Sequence, residues 1–305
     1  MSLNQNQDRI DPKQSPLLLF LILLALSFLG MVIGALLVSG IGGLLGIHDL
    51  TELMKSMEQG EYLEYKNILQ ILLGLSHLAT FLFPSLLFVY LFYKQKQKEY
   101  LLINHSNSWL HYPLAILFII VLAPAFFALV QWNQSLIDGD SSNQAIAEII
   151  GNMNTLTDFL LNLILVGIVA AVGEELLFRG ILQRLFSQVL DNMHLGIWLT
   201  GAVFSVIHDL QGFFPRMLMG VSFGYLLWWS GSLWVPIVAH AFFNAIQIII
   251  QYNLPEDVKN TTTETSIPIT WILGSIALSS LIAYVVWTIH KKSDRKLNTA
   301  TYLNP

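Results

Sequence analysis

The sequence contains no cysteine, and charged residues are scarce in it. Asp, Glu, Lys and Arg make up 11% of the 305 residues, whereas about 25% is usual in soluble domains. Without cysteine the chain has no disulfide, no thiolate metal ligand and no cysteine nucleophile. The formal net charge is -5, and the sequence has no basic stripe that could bind phosphates. Nucleic acid is therefore not expected as a partner.

Apolar residues, by contrast, make up 54% of the chain and are gathered in long runs. A run of about 18 or more apolar residues is long enough to cross a bilayer as a helix. The runs predict an all-α polytopic membrane protein with about eight transmembrane helices, near residues 17–38, 68–93, 112–130, 157–178, 195–210, 216–229, 234–250 and 269–289. The fourth to seventh runs have short connections, so we expect them to pack as neighbours.

The distribution of Lys and Arg predicts the orientation, because cytoplasmic loops carry an excess of both. Placing the N-terminus inside puts ten of them in the cytoplasm and four outside, with Arg179 set aside. The clusters at 94–98 and 291–296 contribute most to this difference. We expect an integral protein of a bacterial cell (inner) membrane, with both termini cytoplasmic and the lipid bilayer as its surroundings.

Three of the apolar runs are interrupted by polar side chains. A charge at the bilayer centre costs about 2.5–3.5 kcal/mol on insertion scales, so such residues need a reason. They are Glu174, Glu175 and Arg179 in the fourth run, His208 in the fifth, and His240 and Asn244 in the seventh. Facing one another around a single wet cavity would satisfy all three polar stripes.

The spacing of these residues is helical. Glu175 and Arg179 are four residues apart and can pair on one face, and the same spacing joins Phe204 to His208 and His240 to Asn244. A structural ion pair of Glu175 and Arg179 is compatible with a functional role. His77, alone in the second run, is interpreted as a packing residue.

Depth in the membrane adds a further expectation. Hydropathy alone places Glu174 near the cytoplasmic end of the fourth helix and His208 toward the outer end of the fifth. We therefore expect the fourth helix to start later than hydropathy indicates and to run past Arg179 to about Val189. Glu174 and His208 would then share a depth that is biased to the cytoplasmic side.

The ordered motifs Glu-Glu-x-x-x-Arg, Phe-x-x-x-His and His-x-x-x-Asn, on successive helices, resemble the CPBP family over roughly residues 160–250. These are the CAAX-protease and bacteriocin-processing intramembrane proteases, or Abi family, which include the type II CAAX prenyl endopeptidases. The resemblance implies an endopeptidase acting near the cytoplasmic membrane face on a peptide or membrane-anchored protein. It further implies one role for each motif residue: Glu174 activates water held by His208, His240 and Asn244 stabilise the oxyanion, and Arg179 holds Glu175, with Phe204 as a supporting residue.

The resemblance leaves the cofactor open. If zinc is present, Glu174, His208 and His240 would be its ligands, with one position left for water. The same side chains can work as a metal-free glutamate hydrolase. We slightly prefer the metal-free form because Asn244 is a poor zinc ligand and a good hydrogen-bond donor.

The motifs also suggest an organisation. We expect an N-terminal cytoplasmic tail and three transmembrane helices with outer loops in residues 1–155. The catalytic core would occupy residues 156–252. An outer loop, the last transmembrane helix and a cytoplasmic tail would form residues 253–305.

Two alternatives remain. Gly220, Ser222 and Gly224 fit Gly-x-Ser-x-Gly and could, with His240, form a rhomboid-like serine protease. The same small residues at i and i+4 are typical of helix packing, which we favour. The polar stripes could instead belong to a non-proteolytic protein, either an ion- or proton-coupled transporter or a bacteriocin-immunity scaffold.

Overall fold

The computed structural model describes residues 15–44, 66–136, 151–253 and 266–292, apart from residues 95, 104, 105, 107, 152, 209 and 211. These residues form eight long helices and no strand: α1 Pro16–Leu44, α2 Lys66–Tyr93, α3 His111–Leu136, α4 Leu156–Val189, α5 Met193–His208, α6 Phe213–Ser230, α7 Trp234–Asn253 and α8 Ile269–Lys292. A short helix, Gln97–Tyr100, lies between α2 and α3. Each predicted apolar run corresponds to one long helix, which confirms the all-α polytopic fold. The predicted tails, and most of the outer loops, lie outside the described residues.

Six of the eight helices are long and apolar enough to cross a membrane: α1, α2, α3, α4, α7 and α8. The other two are shorter or less apolar, with 16 residues in α5 and 18 in α6. At 1.5 Å of rise per residue, α5 extends only about 24 Å, less than the roughly 30 Å of a hydrocarbon core. A hairpin of α5 and α6 can therefore end within the bilayer.

The fourth helix is the long central element, with 34 residues. The prediction that it continues past Arg179 to Val189 is confirmed. The prediction that it starts late is wrong, because a capping box fixes its first turn at Leu156: Thr155 Oγ1 accepts the Asp158 N–H at 3.1 Å and Asp158 Oδ2 accepts the Thr155 N–H at 3.1 Å. The common depth of Glu174 and His208 thus comes from the shortness of α5, not from a late start of α4.

Three stretches of the helices that carry the site are π-helical: Leu78–Leu82 in α2, and Leu163–Val169 and Leu176–Leu182 in α4. Such stretches often occur at functional sites, because an extra residue in a turn re-aims the side chains around it. The two in α4 lie on either side of the Ala170–Glu175 segment. Its carboxylates therefore stand in a short α-helical turn between two widened ones.

The helices pack around α4. Helices α1 and α2 pack on each other, and α2 packs on α4. On its other side α4 contacts α5 and α7. Helix α3 packs on α6, α7 and α8. We call the end of the bundle where α2 and α8 finish the lysine-rich end, because five lysines lie there: Lys94, Lys96, Lys98, Lys291 and Lys292. The other end, where α2, α4 and α8 begin, is the opposite end.

Candidate active site

The Glu174 carboxylate lies at the meeting point of four helices. Its Oε1 is 3.4 Å from Nε2 of His77 on α2 and 3.5 Å from Nε2 of His208 at the end of α5. Its Oε2 is 3.8 Å from Nε2 of His240 on α7. Glu174 is 5% exposed, so this carboxylate is almost enclosed, and three imidazole nitrogens surround it.

The ring of His208 is oriented by its own helix. Its Nδ1 lies 2.7 Å from the carbonyl oxygen of Phe204, one turn earlier. Since a carbonyl can only accept, Nδ1 carries the proton, and Nε2 is the atom aimed at Glu174. The spacing of Phe204 and His208 therefore fixes the tautomer of the histidine as well as its position.

The turn that follows His208 is tied to its neighbours. Ser205 Oγ donates to the carbonyl of Phe213 at 2.5 Å, which joins α5 to the start of α6. Asn133, fully buried on α3, donates through Nδ2 to the Leu210 carbonyl at 3.4 Å and accepts the Phe214 N–H at 3.0 Å. These contacts hold the end of α5 at the depth of Glu174.

Glu175, one residue along α4, forms a second cluster that shares His240 with the first. Its Oε1 lies 2.8 Å from Nη1 of Arg179 and 2.8 Å from Nδ1 of His240. Glu175 and Arg179 are both 0% exposed. The carboxylate accepts from the His240 Nδ1–H, and this contact directs Nε2 of that ring toward Glu174.

The Arg179 guanidinium is enclosed by rings and a close helix contact. Its carbon lies 4.6 Å from the ring centre of Phe204 and 5.4 Å from that of Phe223, distances typical of cation–π contacts. Its Nη2 donates to the Gly220 carbonyl at 3.1 Å. A Cβ on Gly220 would lie 3.0 Å from Cα of Gly201, so glycine allows α5 and α6 to approach this closely.

Asn244 lines the same cavity from α7, one turn beyond His240. Its Nδ2 donates to the Val166 carbonyl at 3.0 Å, within the π-helical Leu163–Val169 stretch of α4. An amide carries two N–H bonds, so this tether uses one of them. The structure therefore brings together all four residues that the motifs predict as catalytic, around one cavity.

That cavity has a volume of about 720 Å³, and Glu174 forms part of its lining. Its walls combine amide and aromatic side chains with the site histidines. They include Gln70, Asn162, Gln134, Gln247, Phe126, Phe243 and Arg216.

His77 is the site residue that sequence reasoning missed. Its ring packs on Phe81 with 4.4 Å between the ring centres, and it hydrogen-bonds the backbone of Ala170. Its Nε2 is near the Glu174 oxygen but is not aligned for a direct hydrogen bond with it. The contact is therefore electrostatic, or completed by a bridging group.

A signal for His77 was present in the sequence. Lys66, Gln70 and His77 recur along one face of α2, and Asp158 and Asn162 along one face of α4. The structure pairs them in order: Lys66 Nζ with Asp158 Oδ2 at 3.0 Å, and Gln70 Nε2 with Asn162 Oδ1 at 3.2 Å. A polar stripe with two matched pairs, rather than a lone histidine, marks α2 as part of the site.

Ser222 is placed differently. Its Oγ donates to the Leu218 carbonyl at 2.8 Å, and the side chain lines a second cavity, whereas His240 lines the first. Gly224 packs closely on α4 and α5: an added Cβ would lie 2.6 Å from Oε1 of Gln183 and 2.8 Å from Ile197. This placement gives no support to a Ser222–His240 dyad.

The donor types at the site would suit zinc, since imidazole and carboxylate are its common ligands. Throughout the described parts of the chain, no group of three or more His, Asp or Glu side chains is positioned to hold a metal ion. Zinc binding by Glu174, His208 and His240 stays a prediction.

The fold and the site together define an integral membrane protein of several apolar helices with a buried glutamate–histidine centre. Comparison with known proteins narrows this class. Residues 156–246 match the family model of type II CAAX prenyl endopeptidase Rce1-like proteins. All three motifs lie within this segment, so the resemblance drawn from them is confirmed there.

Two curated relatives from Bacillus subtilis (strain 168) match parts of the chain. The "Putative membrane peptidase YdiL" is 29% identical over 119 residues, which are 39% of this chain and 47% of that protein. The "Uncharacterized protein YpbD" is 30% identical over 90 residues, 28% of this chain and 43% of that protein. The chain thus spans less than half the length of each relative. No solved structure matches. The comparisons support an intramembrane protease.

Proposed function

We propose that this protein is an intramembrane endopeptidase that hydrolyses a peptide bond with water activated by Glu174 and His208. One observation carries the proposal. The buried carboxylate of Glu174, in the lining of the cavity, has histidine nitrogens at 3.4, 3.5 and 3.8 Å. In such a centre the carboxylate can take a proton from a water molecule, and the histidines beside it can orient that water.

In the first step, water between Glu174 and His208 attacks the carbonyl carbon of the substrate. Glu174 takes one proton from this water while the new C–O bond forms. His208 keeps its Nδ1–H on the Phe204 carbonyl, so in its neutral form Nε2 accepts a hydrogen bond from the same water. In the second step the C–N bond breaks, and the proton passes from Glu174 to the leaving amine.

The developing oxyanion needs donors opposite Glu174. Asn244 has one amide N–H beyond that used by Val166, and in the charged imidazole His240 offers Nε2–H. A side-chain donor of this kind contributes about 2.7–4 kcal/mol to the transition state. Glu175 supports His240 from behind, in the way that a buried carboxylate orients the histidine of a catalytic triad.

Glu175 and Arg179 act as positioning residues in this scheme. Their ion pair lies directly behind His240 and has no exposed surface. A buried charge that loses its partner is costly, so the pair is expected to hold α4, α6 and α7 in register. The His77 ring supports Glu174 from the α2 side.

The depth of the cleaved bond and the cofactor are part of the same proposal. The sequence predicts cleavage near the cytoplasmic membrane face, and that position stays a prediction. The metal-free form remains our preference. Metal analysis of the purified protein, with Glu174→Gln as a control for site binding, tests this: one bound zinc in wild type that the variant lacks would contradict it.

The proposal is tested by comparing new protein termini in membranes from cells with wild type and with Glu174→Gln. Termini that appear only with wild type identify substrates and support proteolysis. Equal sets of termini, with both proteins present at the same level, would contradict it. A transporter or an immunity scaffold would then be favoured.

A further inference from the structure

The cavity extends from Glu174 toward one end of the bundle only. On α4 its lining runs back from Glu174 to Asn162, and on α2 from His77 to Gln70, toward the first turns of both helices. On α3 and α7 it runs forward to Gln134 and Gln247, near their last turns. All four of these helix ends belong to the opposite end of the bundle, away from the lysine-rich end.

The two ends of the bundle differ in the exposure of their lysine side chains. At the lysine-rich end, Lys94 and Lys291 are exposed and lie 5.3 Å from the Tyr90 ring and 5.2 Å from the Trp287 ring. At the opposite end Lys66 is 3% exposed and paired with Asp158. Cytoplasmic loops carry an excess of Lys and Arg, so we assign the lysine-rich end to the cytoplasm.

Taken together, these observations assign the direction from which the site is reached. We propose that the cavity opens on the non-cytoplasmic side and takes in a peptide segment presented from that side. The proposal rests on the proposed proteolytic function and differs from the cytoplasmic approach that the resemblance implies, so the labelling experiment decides between the two. The shared depth of Glu174 and His208 fits this, because α5 ends at His208 and α6 begins at Phe213, short of the ends of α3 and α7.

The residues that line the cavity indicate the chemical character of the peptide segment that it would bind. Near the opening, the exposed side chains of Gln134 and Gln247 supply amides, each of which can both donate and accept. Deeper, aromatic side chains form an apolar surface, among them Phe126, Phe127 and Phe243. Among the described residues of the lining, Glu174 is the one carboxylate. Arg216 adds a positive charge to the lining. An extended peptide with mostly apolar side chains fits such walls, with its backbone on the amides and its apolar side chains against the rings.

The absence of cysteine in the natural chain makes the test direct. Single cysteines are introduced at Gln247, an exposed residue of the lining, and at Lys94, an exposed residue of the lysine-rich end. A membrane-impermeant maleimide is added to intact cells and, in parallel, to permeabilised cells, and its incorporation is measured. Gln134→Cys and Lys291→Cys serve as a second pair, and detergent-solubilised protein shows that each cysteine can react.

We expect Gln247→Cys to be labelled in intact cells and Lys94→Cys only after permeabilisation. Labelling of Gln247→Cys only after permeabilisation, or of Lys94→Cys in intact cells, would overturn the proposal. The result is independent of catalysis, because labelling needs no substrate. Failure of the Glu174→Gln comparison would therefore contradict proteolysis, whereas failure of the labelling would contradict only the side of access.

A second experiment tests the side of access and the proteolysis together. In cells with Gln247→Cys, the external reagent should lower the yield of Glu174-dependent termini at least several-fold, while Lys94→Cys and wild type stay unaffected. Unchanged cleavage by a fully labelled Gln247→Cys protein would contradict this route for the substrate.

Discussion

Nε2 of His77 lies 3.4 Å from Oε1 of Glu174. The two residues are 97 positions apart, and His77 is outside the segment 156–246 that matches the Rce1-like family model. The centre of the site is therefore not confined to the matched helices. Helix α2, which carries no motif, contributes one of the three imidazoles around the carboxylate.

This contact predicts that His77 is a positioning residue for Glu174. His77→Ala should lower kcat by about 10²-fold, the usual cost of misplacing a reacting group, with KM little changed. His77→Gln, whose amide N–H can still reach the carboxylate, should recover part of the loss. Kinetics with a substrate found by terminus mapping provide the measurement.

The matched control is His194→Ala, an exposed histidine outside the cavity. It should behave as wild type. A His77→Ala protein that folds and keeps its kcat would show that His77 serves packing alone.

The second prediction concerns the buried pair of Glu175 and Arg179. Arg179→Ala should destabilise the protein by about 3–5 kcal/mol, because it leaves a carboxylate buried without its partner. The double variant Glu175→Gln/Arg179→Met should recover much of that stability, since both charges are removed. It should not recover activity, because His240 then lacks the carboxylate that orients it.

Unfolding in mixed detergent micelles measures the stability of each variant, and a double-mutant cycle that includes the single variants Glu175→Gln and Arg179→Met isolates the pairwise energy. A change of less than about 1 kcal/mol for Arg179→Ala would be the value of an exposed pair and would contradict the buried role.

The third prediction separates two roles of Asn244. If it donates to the oxyanion, Asn244→Ala should lower kcat by about 10²–10³-fold and change KM little. Gln247→Ala, in the same cavity and one turn along α7, is the comparison and should affect KM more than kcat. A loss of stability without a loss of kcat would mean that Asn244 serves only as the tether to Val166.

The fourth prediction concerns packing between α4, α5 and α6. An added methyl at Gly224 would lie 2.6 Å from Gln183 Oε1 and 2.8 Å from Ile197. Gly224→Ala should therefore destabilise the protein by about 1–3 kcal/mol, as overpacked cores do. Gly274→Ala on α8 is the control, because nothing lies within 4 Å of a Cβ at that position. Equal stability of the two variants would contradict the close approach.

The sequence predicted the helices, and which motif residues share a helix face, for physical reasons. Apolar runs predict membrane helices because lipid offers no partner for free backbone groups. The spacings of Glu175 with Arg179 and of His240 with Asn244 are local, so they predict shared helix faces. Both kinds of pattern can be read within a single helix.

Relations between helices were harder to predict. The start of α4 depends on the Thr155 capping box, which hydropathy does not detect. The direct contact of Glu175 with His240, and that of His77 with Glu174, depend on how α2 and α7 pack against α4. The matching polar stripes of α2 (Lys66, Gln70) and α4 (Asp158, Asn162) are the sequence signal for the α2 contact.

The central claim is that Glu174 performs the hydrolysis, and Glu174→Gln tests it most directly. The substitution keeps the size of the side chain and removes the group that takes the proton from water. The measurement is the rate at which the purified variant, in lipid, cleaves a peptide spanning a mapped cleavage site, alongside its unfolding midpoint. We predict a loss of at least about 10²-fold, the lower range for general-base catalysis, with the midpoint unchanged. Cleavage at the wild-type rate would contradict the account.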